Sequence, residues 1–378
     1  MKIYTYEQII DCIWGAALMA GGGGGSLKSG LDLLDTYKTS HKLEPKDITL
    51  EVIDPQELTE QDYTGVTAAI GAPTAIKGDF TPYVDNAFAL LQTLGAQAAC
   101  PQRTIKYSLA VELGGFNTFV PMLIALEHKQ IPLVDADGSG RAVPALNTTL
   151  LAINGNDVSP LALADKDNNQ LVISLHDPKD AQLAETLARQ ATVGFGNICG
   201  LAGWMLRKDA VNNTLAVGSI SRCQKIGAIL RDCGITDKFG ELQRLGIVVC
   251  REVFRGTISN GETKEEDGFD NGFVEYTADD KTTCTTLFKN ETLVIQASTS
   301  EVWMTAPDII ACYEQESGQP LTNADLFDEK GQVKLNKPVV LGLIAVDSQW
   351  WNQGEAVMNT LWHEYFRSIG YSGDIKRF

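Results

Sequence analysis

The sequence predicts an α/β N-terminal domain with a largely parallel sheet, followed by a β-rich C-terminal domain with a few helices. Three observations predict it. Up to about residue 150, apolar strand-like runs alternate with helix-like periods. Three of those strands run directly into loops of small residues. Beyond residue 245 the pattern changes to β runs separated by turn residues. The polar, turn-rich stretch 155–170, "GNDVSPLALADKDNNQ", marks the boundary, giving domains 1–160 and 161–378.

In chain order, "YEQIIDCIWGAALMA" has Ile9, Ile10, Ile13, Trp14, Ala17 and Leu18 at helical spacing and reads as a helix. Five glycines follow, Gly21–Gly25, and Ser26 is placed to cap a second helix over about 27–38. Strands are expected at 48–53, 65–71, 104–113 and 131–137, with helices around 83–95 and 117–129. The second half is expected to begin with a long helix, about 178–207, and a shorter one near 222–232. Then come the β runs "LGIVVCREVFRGTIS", "GFVEYTA", "CTTLFKNETLVIQAS" and "KPVVLGLIAV", with turn signals at Asn260-Gly261 and Asp267-Gly268. A last helix occupies about 353–369.

The glycine run invites a phosphate-loop reading, which its spacing rejects. Counting from Gly22, the second glycine of a Walker A loop falls on Leu27, and the third glycine of a dinucleotide fingerprint falls on Ser26. The preceding segment is also helical, not a strand. What remains is a loop where a backbone approaches something closely or adopts positive φ. Two uses stay open: a helix start suited to an anion or polar heterocycle, with Gly22, Gly23, Gly24, Gly25 and Ser26 as candidate substrate-binding residues, or a tight helix–helix turn.

Loops leaving the carboxyl ends of parallel strands gather on one edge, where ligands bind. Here they are "GAPTA" (71–75), "ELGGFN" (112–117) and "DADGSGRAVP" (135–144), bringing Glu112, Asn117, Asp135, Asp137 and Arg141 to that edge. Asp135 and Asp137 fit a general base with its partner, or metal ligands; equally, one caps a turn and the other pairs with Arg141. Glu112 ends an apolar strand before Gly-Gly, which makes it a base candidate or a turn stabiliser. Arg141 suits a substrate carboxylate gripped by two parallel hydrogen bonds. Asn117 reads as a helix cap or a substrate donor. Glu291 in "NETLVI" and Asp308 in "APDII" read first as turn residues, yet carboxylates pressed among apolar side chains are where pKa values rise.

Composition narrows the partners. With 31 basic and 48 acidic residues and a net charge of −17, the chain is a poor match for nucleic acid or an anionic membrane surface. Its 8 cysteines form no C-x-x-C pair and read as free thiols of a reducing, cytoplasmic compartment. The 4 histidines have neither metal nor triad spacing. Glu7 and Asp11 interrupt the first apolar stretch, against a signal peptide, and no apolar run is long enough to span a membrane.

Taken in order, "AGGGGGSLKSG", "VELGGFN", "IPLVDADGSGRAVP", "KNETLVI" and "APDII…SGQPL" resemble the S-methyl thiohydantoin desulfurase family. That family was formerly a domain of unknown function associated with hydantoinase/oxoprolinase proteins. The resemblance runs from about residue 6 to 370, and departs from the family at Ser26-Leu27, where Asp or Asn and then Pro is usual. It implies a two-part protein and hydrolysis at a hydantoin-like ring: loss of methanethiol from an S-methyl thiohydantoin to carboxylate-activated water. On that reading Asp135 or Asp137 is the base and Glu112 a second acid/base. The glycine loop, Asn117, Arg141 and Glu291 bind a heterocycle carrying a carboxylate. No cofactor is expected, and a homo-oligomer is compatible. Two alternatives remain: a metal-dependent cyclic-amide hydrolase using Asp135, Asp137 and Glu112, and a non-catalytic partner subunit of a hydantoinase or oxoprolinase.

Overall fold

A computed structural model describes residues 1–71, 75–76, 78–98, 102–266 and 269–378. Most of the loop 71–75, Cys100 and the Asp267-Gly268 turn lie outside the described residues. Among the described residues two sheets organise the chain. The first contains β1 (Lys2–Thr5), β2 (Thr49–Ile53), β3 (Asp62–Gly71), β4 (Thr104–Ala110), β5 (Leu133–Asp137), β6 (Leu161–Ala164), β7 (Gln170–Ile173), β8 (Ile198–Leu206) and β9 (Ala216–Val217). The second contains β10 (Cys250–Glu266), β11 (Phe269–Thr277), β12 (Thr283–Lys289), β13 (Glu291–Ala297), β14 (Val302–Thr305), β15 (Ile309–Glu314) and β16 (Pro338–Ile344).

The helices are α1 (Tyr6–Met19), α2 (Leu27–Ser40), α3 (Thr81–Gln97), α4 (Phe119–Glu127), α5 (Leu150–Ile153), α6 (Ala181–Gly194), α7 (Lys208–Thr214), α8 (Ser219–Arg231), α9 (Lys238–Arg244) and α10 (Glu355–Ser368). Local chemistry sets several of their starts. Thr5 and Gln8 form a reciprocal capping box on α1, and the Ser26 hydroxyl accepts the Ser29 N–H at 3.1 Å to cap α2.

The first sheet runs β1-β2-β5-β4-β3-β8-β6-β7, with β9 beside β5. Its centre, β2-β5-β4-β3, is parallel, and its flanks are antiparallel. The second sheet is antiparallel throughout, in the order β14-β13-β12-β11-β10-β16-β15, and curls until β15 lies against β13. The expected fold class is therefore present. One core joins the first sheet and its helices to one face of β15 and β16, through Ile309, Ala311, Val340 and Ile344, and a smaller core on the opposite face fills the curl around Ile258, Tyr276 and Phe288. Among the described residues no helix is long and apolar enough to cross a membrane.

Three expectations change. The long helix over 178–207 is α6 followed by β8: the chain turns at Gly196 and Asn197, both with positive φ (76° and 72°). The small residues that follow let β8 lie against α3. The boundary at residue 160 falls inside the first sheet, because β6 to β9 complete it and the second sheet begins only at Cys250. Asn260-Gly261 is not a hairpin turn; it lies within β10, next to a bulge between Ile258 and Asn260.

Candidate functional site

The loops after β4 and β5 meet at the carboxyl edge of the parallel strands, where the Leu113 N–H donates to the Arg141 carbonyl at 3.1 Å. The glycine loop lies across them. The Gly24 and Gly25 carbonyls accept N–H groups of Asn117 and Gly115, both at 3.1 Å. On its other side, the Gly21 and Gly22 carbonyls accept N–H groups of Thr292 and Asn323 from the second sheet's side, both at 2.8 Å. The loop thus fastens the two halves together. Gly21, Gly22, Gly24 and Gly25 all have positive φ, and a Cβ on Gly23 would lie 2.0 Å from Glu291 Oε1. Close approach to the loop after β4, to Glu291 and to Asn323 accounts for Gly22 to Gly25. Ser26 keeps its capping role.

Beneath the loop sits a cluster of buried charge. Glu112 ends the β4 segment, with Oε2 accepting the Val143 N–H at 2.8 Å and Oε1 bonded to the Asn117 amide. Burial, then the Glu291 charge, push its carboxyl up to about 8. Glu291 opens β13 and is pushed up to about 7 by burial, against the pull of Arg141. Asp137 is raised to about 6 by burial, although the nearby Ser219 hydroxyl and the N–H groups of Gly140 and Ser139 oppose it. The guanidinium of Arg141, wholly buried, is lowered to about 10 by burial and supported by Glu291, Asp308 and Glu112.

Arg141 does not offer the two-bonded grip on a carboxylate that its type suggests, nor is it paired with Asp135 or Asp137. Its Nε donates to the Ala142 carbonyl at 2.7 Å, and its Nη1 reaches the carbonyls of Pro307 and Asp308. The guanidinium bridges the β5 loop and the β14–β15 turn, with Trp362 of α10 5.7 Å from its Cζ. Only Nη2 lacks a protein partner. Asp308 spends its carboxylate on the N–H groups of Val346 and Phe378.

Asp135 stands apart. Its oxygens accept the Ser221 N–H at 2.9 Å and the Ser221 hydroxyl at 2.7 Å, which caps α8 from the neighbouring strand. Asn117 caps nothing; it holds Glu112. Among the described residues no group of three or more His, Cys, Asp or Glu side chains is arranged to hold a metal. The oxygens of Asp135 and Glu112 are instead turned to N–H and hydroxyl donors.

Some site residues escaped the sequence reading. Thr292 and Asn323 hold the glycine loop, and Trp350 donates its indole N–H to the Ser139 carbonyl at 2.8 Å. Arg189 and Glu185 of α6 and Tyr365 of α10 are electrostatically coupled to Glu291. An aromatic or charged residue far along the chain carries no local signal of such a role.

Fold and site together define a two-sheet protein whose buried acid–guanidinium cluster is closed by a glycine loop. The N-terminal domain of the S-Me-THD-like family matches residues 7–175, and its C-terminal domain matches 179–352. The chain belongs to the S-Me-THD-like family, as its motifs imply. The crystal structure of a protein from Chromobacterium violaceum aligns over 100% of both chains with a TM-score of 0.82, at 22% identity, and shares the fold. No protein of curated function matches the chain.

Proposed function

We propose that this chain hydrolyses a hydantoin-like five-membered ring, releasing methanethiol from an S-methyl thiohydantoin to leave the hydantoin. One observation carries the reading. Glu291 Oε2 and Arg141 Nη2 are both buried without a protein hydrogen-bond partner, within one cluster of interacting charges. Buried polar atoms are nearly always paired, so unspent capacity concentrated in one place marks chemistry.

The ring carbon between the two nitrogens carries the sulfur and is electrophilic. Glu291, as carboxylate, takes a proton from water as the oxygen adds to that carbon. Glu112 keeps its proton near neutral pH and donates a hydrogen bond to the ring nitrogen. Arg141 Nη2 faces the charge that develops on the tetrahedral centre. As the C–S bond breaks, the sulfur leaves with the proton held by Glu291, so one water is consumed and one methanethiol formed. Asp137 supports the loop that carries Arg141, and Asp135 is assigned to α8.

Purified chain incubated with an S-methyl thiohydantoin and with plain hydantoin, with and without chelator, tests this. Thiol release that survives the chelator supports the carboxylate mechanism. Ring opening of plain hydantoin, abolished by the chelator, supports a metal-dependent cyclic-amide hydrolase. Tight ring binding without turnover supports a non-catalytic partner.

A further inference from the structure

Arg141 has only Nη2 to offer, and the proposed mechanism directs it at the ring carbon, which leaves open what would receive a substrate carboxylate. Two other cations lie at the rim beside Glu291. Lys289 of β12 is paired directly with Glu291 across the β12–β13 hairpin. Its ammonium lies 4.7 Å from the centre of the Phe269 ring and 5.9 Å from that of Tyr365. Arg189 of α6 lies against the same Phe269 ring, its Cζ 5.1 Å from the ring centre. One aromatic ring is thus shared by both cations.

Their surroundings are built. Glu185 takes Arg189 Nη2 at 2.7 Å through one oxygen and the Leu146 N–H at 2.7 Å through the other, fixing α6 to the loop after β5. Tyr365 donates its hydroxyl to Asn147 Oδ1 at 2.8 Å on the same loop. Lys289 has the Ser368 hydroxyl at 3.4 Å and, among the described residues, no carboxylate within ion-pair distance. Arg189 has one carboxylate partner and a side chain 37% exposed. The pair therefore presents excess positive charge beside an acid-rich interior, on a chain whose net charge is −17.

We infer that Arg189 and Lys289 bind a carboxylate carried on a side arm of the ring substrate, holding that arm at the rim while the ring lies against Glu291. This rests on the hydrolase reading of the site for the ring's position. A guanidinium supplies directional donors and an ammonium a point charge, a combination suited to a flexible carboxylate.

Binding of the hydantoin product, measured by titration calorimetry, separates this proposal from the reaction itself. Two ligands are compared, one with a propionate arm and one with an uncharged propyl arm. The variants are Arg189→Gln, which keeps a donor for Glu185, and Lys289→Gln, which leaves no acid unpaired. The expected result is at least ~10-fold weaker binding of the propionate ligand in each variant, with the propyl ligand unchanged. Equal losses for both ligands, no loss for either, or a wild-type chain that binds both equally would overturn the assignment. Wild-type binding that prefers the propionate and is lost in the variants, with no thiol release, would sink the hydrolase reading and leave the carboxylate site standing.

Discussion

Glu112 and Glu291 are acids kept in the interior at some cost to their charge. Their carboxyls are pushed up to about 8 and about 7, mainly by burial, from an ordinary 4.5. Each holds its proton more tightly folded than unfolded. The contribution to stability is therefore full below pH 4.5 and is lost as pH rises through about 7 and 8. The melting temperature should fall from about pH 4.5 to about pH 8 and level off above that, and Glu112→Gln should flatten the fall. A wild-type profile that is level or rises over this range would contradict the burial argument. Glu112 was legible in the sequence, because an acid that closes an apolar strand before Gly-Gly has little reason to be merely solvated. Arg141 was legible as a site residue but not in its bonding. Its partners are backbone carbonyls at Ala142, Pro307 and Asp308, which no residue-type pattern encodes.

Asp135 shows what a single element can settle. It lies two residues from Asp137 on β5, yet α8 has Gly218 at its N-cap and takes its capping carboxylate from Asp135 across the fold. Asp135→Ala should cost about 0.5–2 kcal/mol, as losing a helix cap does, and keep thiol release within a few-fold of wild type. A loss of turnover beyond ~100-fold with unchanged stability would return Asp135 to the role of base. Four of the first sheet's nine strands, β2 to β5, were legible from apolar periodicity, as were α1, α2 and α10. The flanking strands β1, β6, β7 and β9 were not, and neither was β8. "ICGLAGWML" lacks strict alternation because its faces are covered, by α3 among other elements, and a buried strand of small residues reads like buried helix.

The two sheets are joined at the site itself. Arg141 bonds the carbonyls of the β14–β15 turn, and the glycine loop bonds β13 on one side and the β4 loop on the other. The fold class was readable from the switch between alternating and continuous β patterns. The junction was not, because it depends on Thr292, Asn323, Trp350 and Trp362, which are distant in sequence and ordinary in type. In the proposed mechanism this junction operates as a base and an acid with raised, neighbouring pKa values. Its most direct test is the pH dependence of kcat/KM for thiol release from an S-methyl thiohydantoin, for wild type and for Glu291→Gln. The expected profile is a narrow bell, rising through about 7 as Glu291 ionises and falling through about 8 as Glu112 loses its proton, the two belonging to the pair as a whole. Turnover in Glu291→Gln should be at least ~100-fold lower. A flat profile, or a Glu291→Gln variant with wild-type turnover, would contradict it.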